Sequence, residues 1–255
     1  MLVDSVGTNR AGFDSSRRKM KLSEAIAAQI LDDIARRGMT EGQPLMSEAA
    51  MLETYGGGRA SVREALRILE TNGLVNIKAG PRGGAVVGRV DPVQFGRSAT
   101  RYFQLGGATV RELIEARLIL EPATTGLAAK RRDPASMERL RGWLENHHHR
   151  PTGDDATYLS ESFEFHSIVS GMSGNMVLDL ITLAMKDVFT SRVKSAVYPP
   201  NARRRVRAVH EEIAQLVLDG DAEGAERLMR EHLEEYVRYA TRRLPGLLED
   251  KVSWQ

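Results

Sequence analysis

Apolar residues recur at helical spacing from Leu22 onward. Ala25, Ile26, Ile30 and Ile34 form one stripe, and Gly38 supplies a stop. Ser47 is placed to cap a short second helix from Glu48 to Tyr55, and Gly56-Gly57-Gly58 make a turn after it. A third helix runs from Arg59 to about Asn72, with Gly73 as its C-terminal cap. On it, Val62, Ala65, Leu66 and Leu69 fall at i, i+3, i+4 and i+7, the spacing of a buried face. Two short β-like runs follow, Leu74 to Lys78 and Ala85 to Val87, on either side of the turn-forming stretch AGPRGG. Helix, helix, turn, helix, hairpin is the order of a winged helix-turn-helix.

Strand signals end there. Residues 89–108 read as a connection that includes a helix from Asp91 to Phe103, and Gly106-Gly107 punctuates it. From Thr109 onward the pattern is helical. Breaks are predicted at Asp133-Pro134, at residues 147–155 (HHHRPTGDD), at Ser173-Gly174-Asn175, at Tyr198-Pro199-Pro200 and at Asp219-Gly220-Asp221. About six helices result, enough for a bundle with its own core. The expected fold is mainly α: an N-terminal winged helix-turn-helix with a small β-hairpin wing, then an all-α helical bundle. The expected organisation is a disordered tail (1–18), a winged-helix domain (19–88), a linker (89–108) and a helical effector-binding domain (109–245).

Composition narrows the function classes. The chain has 255 residues and no cysteine, so disulfides and thiolate metal sites are excluded. No run approaches the roughly 18 apolar residues of a membrane span, and the first residues lack an apolar signal segment. A cytoplasmic protein with no membrane partner is the simplest expectation. Net charge is only +2, but residues 1–90 hold 13 Lys and Arg against 10 Asp and Glu, leaving 23 against 24 for the rest. The positive excess therefore lies with the winged helix. All six histidines lie after residue 146.

The third helix presents Arg59, Arg63 and Arg67 opposite its buried stripe. A helix fits the DNA major groove, arginine pairs with guanine O6 and N7 or with phosphate, and a helix N-terminus favours a phosphate. Lys78 and Arg82 beside Gly83-Gly84 would bring the hairpin tip close to the minor groove. Arginines on one helix face alone are as readily a solvated surface. The ordered context changes that, because LMSEAAMLETYGGGRASVREALRILETNGLV followed by KAGPRGGAVV resembles the DNA-binding domain of GntR-family regulators. Leu45, Ser47, Glu48, Arg59, Val62-Arg63-Glu64-Ala65-Leu66, Gly73-Leu74 and Gly83 carry the resemblance, over residues 21–88. It implies a double-stranded DNA operator contacted by Arg59, Ser61, Arg63, Arg67, Arg82 and Gly83. Met46, Ala49 and Gly58 depart from the family pattern, where proline, arginine and serine are usual, which bears on operator sequence and affinity.

In the second half, three separated histidines each fall on an apolar stripe. His166 aligns with Leu159, Phe163 and Val169; His210 with Ile213, Ala214 and Val217; His232 with Ala225, Leu228, Met229 and Tyr236. Any one of them is more readily a hydrogen-bonded core histidine. Three together can bind zinc or another transition metal and leave a position open for a ligand. His147-His148-His149 read as an exposed loop run. VRELIEARLILEPATTGLAA, FEFHSIVSGMSGN and VHEEIAQLVLDGDAEGAERLMREHL resemble the FadR-type C-terminal domain found behind GntR winged helices, over residues 109–240. The resemblance implies one divalent metal such as zinc or nickel on His166, His210 and His232. Ser162 stands where many members have a fourth ligand, an Asp. It also implies a small effector, a carboxylate, contacted by Arg117, Ser162 and the three histidines. Arg117 equally suits an intrahelical pair with Glu121.

These readings converge on a homodimeric, non-enzymatic transcriptional regulator, a repressor whose operator affinity changes when a small acidic metabolite binds the helical domain. The alternative from another class is a hydrolase or lyase that depends on a metal held by the three histidines, which requires a general acid or base beside the metal.

Overall fold

The computed structural model describes residues 21–80, 83–148, 154–193 and 198–252. The chain divides into two compact units, Met1–Val90 and Asp91–Gln255. The tail assigned to residues 1–18 lies outside the described residues, as does Arg82.

The first unit holds α1 (Leu22–Arg36), α2 (Glu48–Tyr55), α3 (Arg59–Thr71), β1 (Val75–Lys78) and β2 (Gly84–Val87). Ser47 caps α2, its hydroxyl accepting from the Ala50 N–H at 3.2 Å. The core is built from Ile26 and Ile30 of α1, Met51 of α2, Val62, Ala65, Leu66 and Leu69 of α3, and Val75 of β1. The amphipathic stripe of α3 is thus buried as a unit, which turns its opposite face outward. The strands pair antiparallel, Val75 with Val87 and Lys78 with Gly84. Gly83 closes the hairpin. A Cβ there would stand 2.2 Å from the Lys78 carbonyl oxygen, so only glycine fits this turn.

The second unit holds α4 (Pro92–Gly106), α5 (Val110–Arg131), α6 (Pro134–His148), α7 (Asp155–Gly171), α8 (Met176–Val193), α9 (Pro200–Asp219) and α10 (Ala222–Arg243), then a 3-10 turn at Leu247–Glu249. The stretch read as a linker, 89–108, is for the most part α4, which packs on α8. Its Gly96 approaches Ala184 so closely that a Cβ would stand 3.1 Å from the Ala184 Cα. Small residues make this contact, so the apolar signal of a core helix is muted in sequence. The helical unit also runs beyond residue 245. Val252 donates to the Ala108 carbonyl at 2.8 Å, and Val110 to that of Asp250 at 2.9 Å. His147 and His148, expected in a loop, end α6; His149 lies outside the described residues.

Helix α5 is central. It packs against α7, α8, α9 and α10, so most of its circumference is buried, polar residues included, and a stripe of Glu112, Glu115, Ile119, Ala123 and Lys130 stays exposed. Thr109 caps it in a reciprocal box with Glu112. Pro122 lies inside it and has no N–H to offer the Leu118 carbonyl one turn back. The Arg230 guanidinium of α10 donates to that oxygen at 3.0 Å, satisfying it from another helix.

Candidate functional site

In the first unit the outward face of α3 is mostly polar. Arg59, Arg63 and Arg67 are exposed on α3 and Ser61 is half-buried. Arg63 Nε donates to Glu48 Oε2 at 3.0 Å, with both side chains about half exposed or more. An exposed pair of this kind is worth less than about 1 kcal/mol, so it orients Arg63 without withholding it from a stronger partner. Gly58 precedes α3 and provides no side-chain cap, so the first N–H groups of α3 remain open to an anion. Gly83 sits in the exposed hairpin turn. This is the geometry of a DNA-reading helix with a wing beside it.

The second unit gathers the three dispersed histidines. His166 comes from α7, His210 from α9 and His232 from α10, and one nitrogen of each lies within 4.8 Å of the others. His210 Nε2 and His232 Nε2 are 3.1 Å apart. The ring centroid of His166 stands 5.2 Å from that of His210 and 5.4 Å from that of His232. Phe165 closes one side, stacked on His210 at 4.4 Å. Phe165 is fully buried, whereas Phe163, the aromatic placed on this stripe from sequence, is only partly so. Ser162 is half-buried one turn before His166.

Helix α5 supplies the charges. Arg117 Nε donates to Glu121 Oε1 at 2.5 Å, so the intrahelical pairing is the one formed. The other carboxylate oxygen, Oε2, lies 2.8 Å from His166 Nδ1, off the line of a straight hydrogen bond. Burial alone would raise the Glu121 carboxyl. The Arg117 guanidinium and the His166 imidazole outweigh it and hold the group well below the usual carboxylate range. His232 is also depressed, which for a histidine favours the neutral ring. Burial, then the neighbouring His166, pushes it from 6.5 down to about 3, so the ring is uncharged at pH 7.

Imidazoles converging from three helices, those of His166 and His210 buried and that of His232 half-buried, fit a divalent ion. Bonds of about 2.0–2.1 Å in a tetrahedral site place ligand nitrogens about 3.3 Å apart, close to the His210–His232 separation. An ion there would act as a Lewis acid that fixes anionic oxygens of a ligand. The residues that hold it would be His166, His210 and His232.

One turn beyond His232 on α10, a group of aromatic and basic side chains continues the polar interior. Tyr198 packs on Tyr236 at 5.8 Å and on Tyr239 at 4.3 Å. Arg203 lies over the Tyr158 ring at 5.0 Å, donates to the Tyr198 carbonyl at 2.8 Å and pairs with Asp155. Arg207 pairs with buried Glu161 at 3.0 Å. Sequence reading missed these contacts and that between Glu121 and His166. Most of the partners lie far apart along the chain and leave no local pattern.

A winged helix with a basic reading face, joined to a helical unit enclosing a polar cluster, defines a DNA-binding protein with a ligand-sensing domain. Comparison with known proteins agrees. Residues 22–87 match the family described as "Bacterial regulatory proteins, gntR family", and residues 112–235 match the FCD domain. The chain is a GntR-family helix-turn-helix regulator with an FCD effector-binding domain. It is 28% identical to the HTH-type transcriptional repressor NanR of Cronobacter sakazakii over 186 residues, covering 72% of this chain and 70% of the relative. It is 27% identical to NanR of Enterobacter sp. over 234 residues, covering 89% of each. The Streptococcus agalactiae GntR structure superposes with a TM-score of 0.65 at 23% identity, covering 85% of this chain and 99% of that one, a likeness of fold. No helix among the described residues is long and apolar enough to cross a membrane.

Proposed function

We propose that this regulator is a cytoplasmic, homodimeric repressor of FadR type whose operator affinity falls when a small acidic metabolite binds in the helical domain. The observation that carries the reading is the convergence of His166, His210 and His232 beside the Arg117–Glu121 pair, a buried polar site inside the bundle. The repressor sense comes from the similar NanR proteins. Arg59, Ser61, Arg63 and Arg67 contact the operator, and Arg82 and Gly83 form the wing contact. The histidines hold one divalent ion such as zinc or nickel, and Ser162 and Arg117 complete the effector contacts. Ser162 lacks the carboxylate that would be a fourth ligand, so an anionic effector oxygen takes the open position. Effector binding favours one arrangement of the dimer over another, and operator affinity changes by the difference in effector affinity for the two.

A hydrolase at the same site needs a free carboxylate as base. Glu121, the carboxylate in contact with the histidines, already faces Arg117 and His166. The test is operator binding by gel shift with and without candidate sugar acids, hydroxy acids and amino acids, together with elemental analysis of the purified chain. Release of operator by an acid supports the reading. Operator binding indifferent to every such acid, in protein that carries no metal, overturns it.

A further inference from the structure

Glu121 stands outside the histidine triad yet touches it. It projects from α5, whereas the histidines come from α7, α9 and α10. One of its oxygens is held by Arg117 Nε at 2.5 Å and the other faces His166 Nδ1 at 2.8 Å. Both side chains of the Glu121–His166 contact are nearly fully buried, at 3% and 7% exposure. A carboxylate oxygen and a bare imidazole lone pair repel at that separation. Nδ1 must therefore carry a proton, whatever the bend of the contact. A neutral ring protonated at Nδ1 has its lone pair at Nε2.

We infer that Glu121 is a positioning residue: it fixes His166 as the Nδ1–H tautomer and so presents Nε2 to an ion shared with His210 and His232. This rests on the ion-binding role proposed for the three histidines and adds what orients one of them. A ligating imidazole generally donates its second N–H to a carboxylate, carbonyl or water, and this contact sets ring orientation and basicity. Here the carboxylate is itself aimed by Arg117, which occupies its other oxygen. The chain thereby keeps a negative charge at the site although position 162 is a serine. That charge lies outside the coordination sphere, so the ion retains a positive charge to be met by an anionic ligand. The backbone around Glu121 is also fixed. Thr124 and Thr125 hydroxyls both donate to its carbonyl, at 3.0 and 2.7 Å.

The experiment uses the full chain and three readouts. Imidazole nitrogen NMR of the metal-free protein reports the tautomer of His166, assigned with His166→Gln. Zinc affinity is measured by competition with a chromophoric chelator. Cobalt substitution reports coordination geometry through its visible spectrum. The expected results are an Nδ1–H tautomer in the metal-free chain, zinc on Nε2 of His166, and a loss of about 10–100-fold in zinc affinity for Glu121→Gln with an altered cobalt spectrum. Glu121→Asp keeps the charge for Arg117 but shortens the reach to His166, and it should lose a comparable factor. The tautomer of the unmutated chain decides the matter even where a variant folds poorly. An Nε2–H tautomer, zinc bound through Nδ1, or folded Glu121→Gln with undiminished zinc affinity overturns the inference. A chain with the Nδ1–H tautomer that takes up no zinc, nickel or cobalt overturns the ion-binding reading beneath it, and the inference with it.

Discussion

His210 and His232, 22 residues apart on consecutive helices, bring their Nε2 atoms to 3.1 Å. Two neutral imidazoles share at most one proton across such a contact, and a divalent ion replaces that proton with two bonds. Replacing any one of His166, His210 or His232 by alanine should therefore remove most bound metal, whereas Ser162→Asp should raise zinc affinity about tenfold or more, the scale of a carboxylate gained beside a metal. Elemental analysis after dialysis against a weak chelator checks both. Unchanged, negligible metal in Ser162→Asp would leave the histidines as direct contacts to effector.

The same cluster sets an acid limit on the metal-free helical unit. His232 has a folded-state pKa depressed from 6.5 to about 3, so below pH 6.5 the unfolded chain takes up a proton that the folded chain does not. Glu121 is depressed below 4.5, so its stabilising contribution is present above that pH and lost as pH falls further. Both act in one direction. Stability of the second unit should fall from pH 6.5 downward, and more steeply below pH 4.5. Tryptophan fluorescence follows this selectively, because both tryptophans of the sequence come after residue 90 and Trp143 lies in the core of that unit. The check is the urea midpoint at pH 7, 5.5, 4.5 and about 3.5 with chelator present; a midpoint that rises on acidification contradicts the prediction.

Arg63 pairs with Glu48 of α2 and stays exposed. Arg63→Ala should weaken operator binding by about 1–3 kcal/mol if it reads a base edge, with little effect on non-specific DNA. Arg82→Ala should weaken both alike and reduce the salt slope. Titrations on operator and scrambled duplexes at several salt concentrations separate the two. Loss of the same size on both duplexes for Arg63→Ala removes its base-reading role.

Gly83→Ala tests the wing by sterics alone. Its Cβ meets backbone at 2.2 Å, so the hairpin must open, while the helices of the first unit keep their core. Operator affinity should drop with helical circular dichroism unchanged. Wild-type affinity in this variant would mean that the wing tip makes no contact.

Residues 1–90 form a unit with its own core and should fold alone. This fragment should bind operator more weakly than the full chain, because the proposed dimer contacts come mainly from the helical unit. Mass in solution and operator affinity of both proteins check this. A monomeric full chain that binds no better than the fragment refutes the proposed dimer.

The winged helix was legible because its determinants are local. The stripe of Val62, Ala65, Leu66 and Leu69, the Ser47 cap and the Gly83 turn each act over a few residues, and the structure uses all three. The helices bearing His166, His210 and His232 were legible for the same reason, since 3.6-residue periodicity marks an inward face wherever it occurs. Helix α4 was read almost to its bounds, but as part of a linker: its packing surface includes small residues such as Gly96, which mark close approach in three dimensions but carry almost no hydrophobic signal. What faces each histidine was beyond sequence altogether. Periodicity says that a side chain points inward and is silent on what it meets there. Only the packing of α5 against α7, α9 and α10 set Glu121 on His166 and left Arg117 paired with Glu121. The contact between Glu121 and His166 joins two helices distant in sequence. It forms because burying a charge is tolerable only where a partner of opposite sign or a hydrogen bond is already in place.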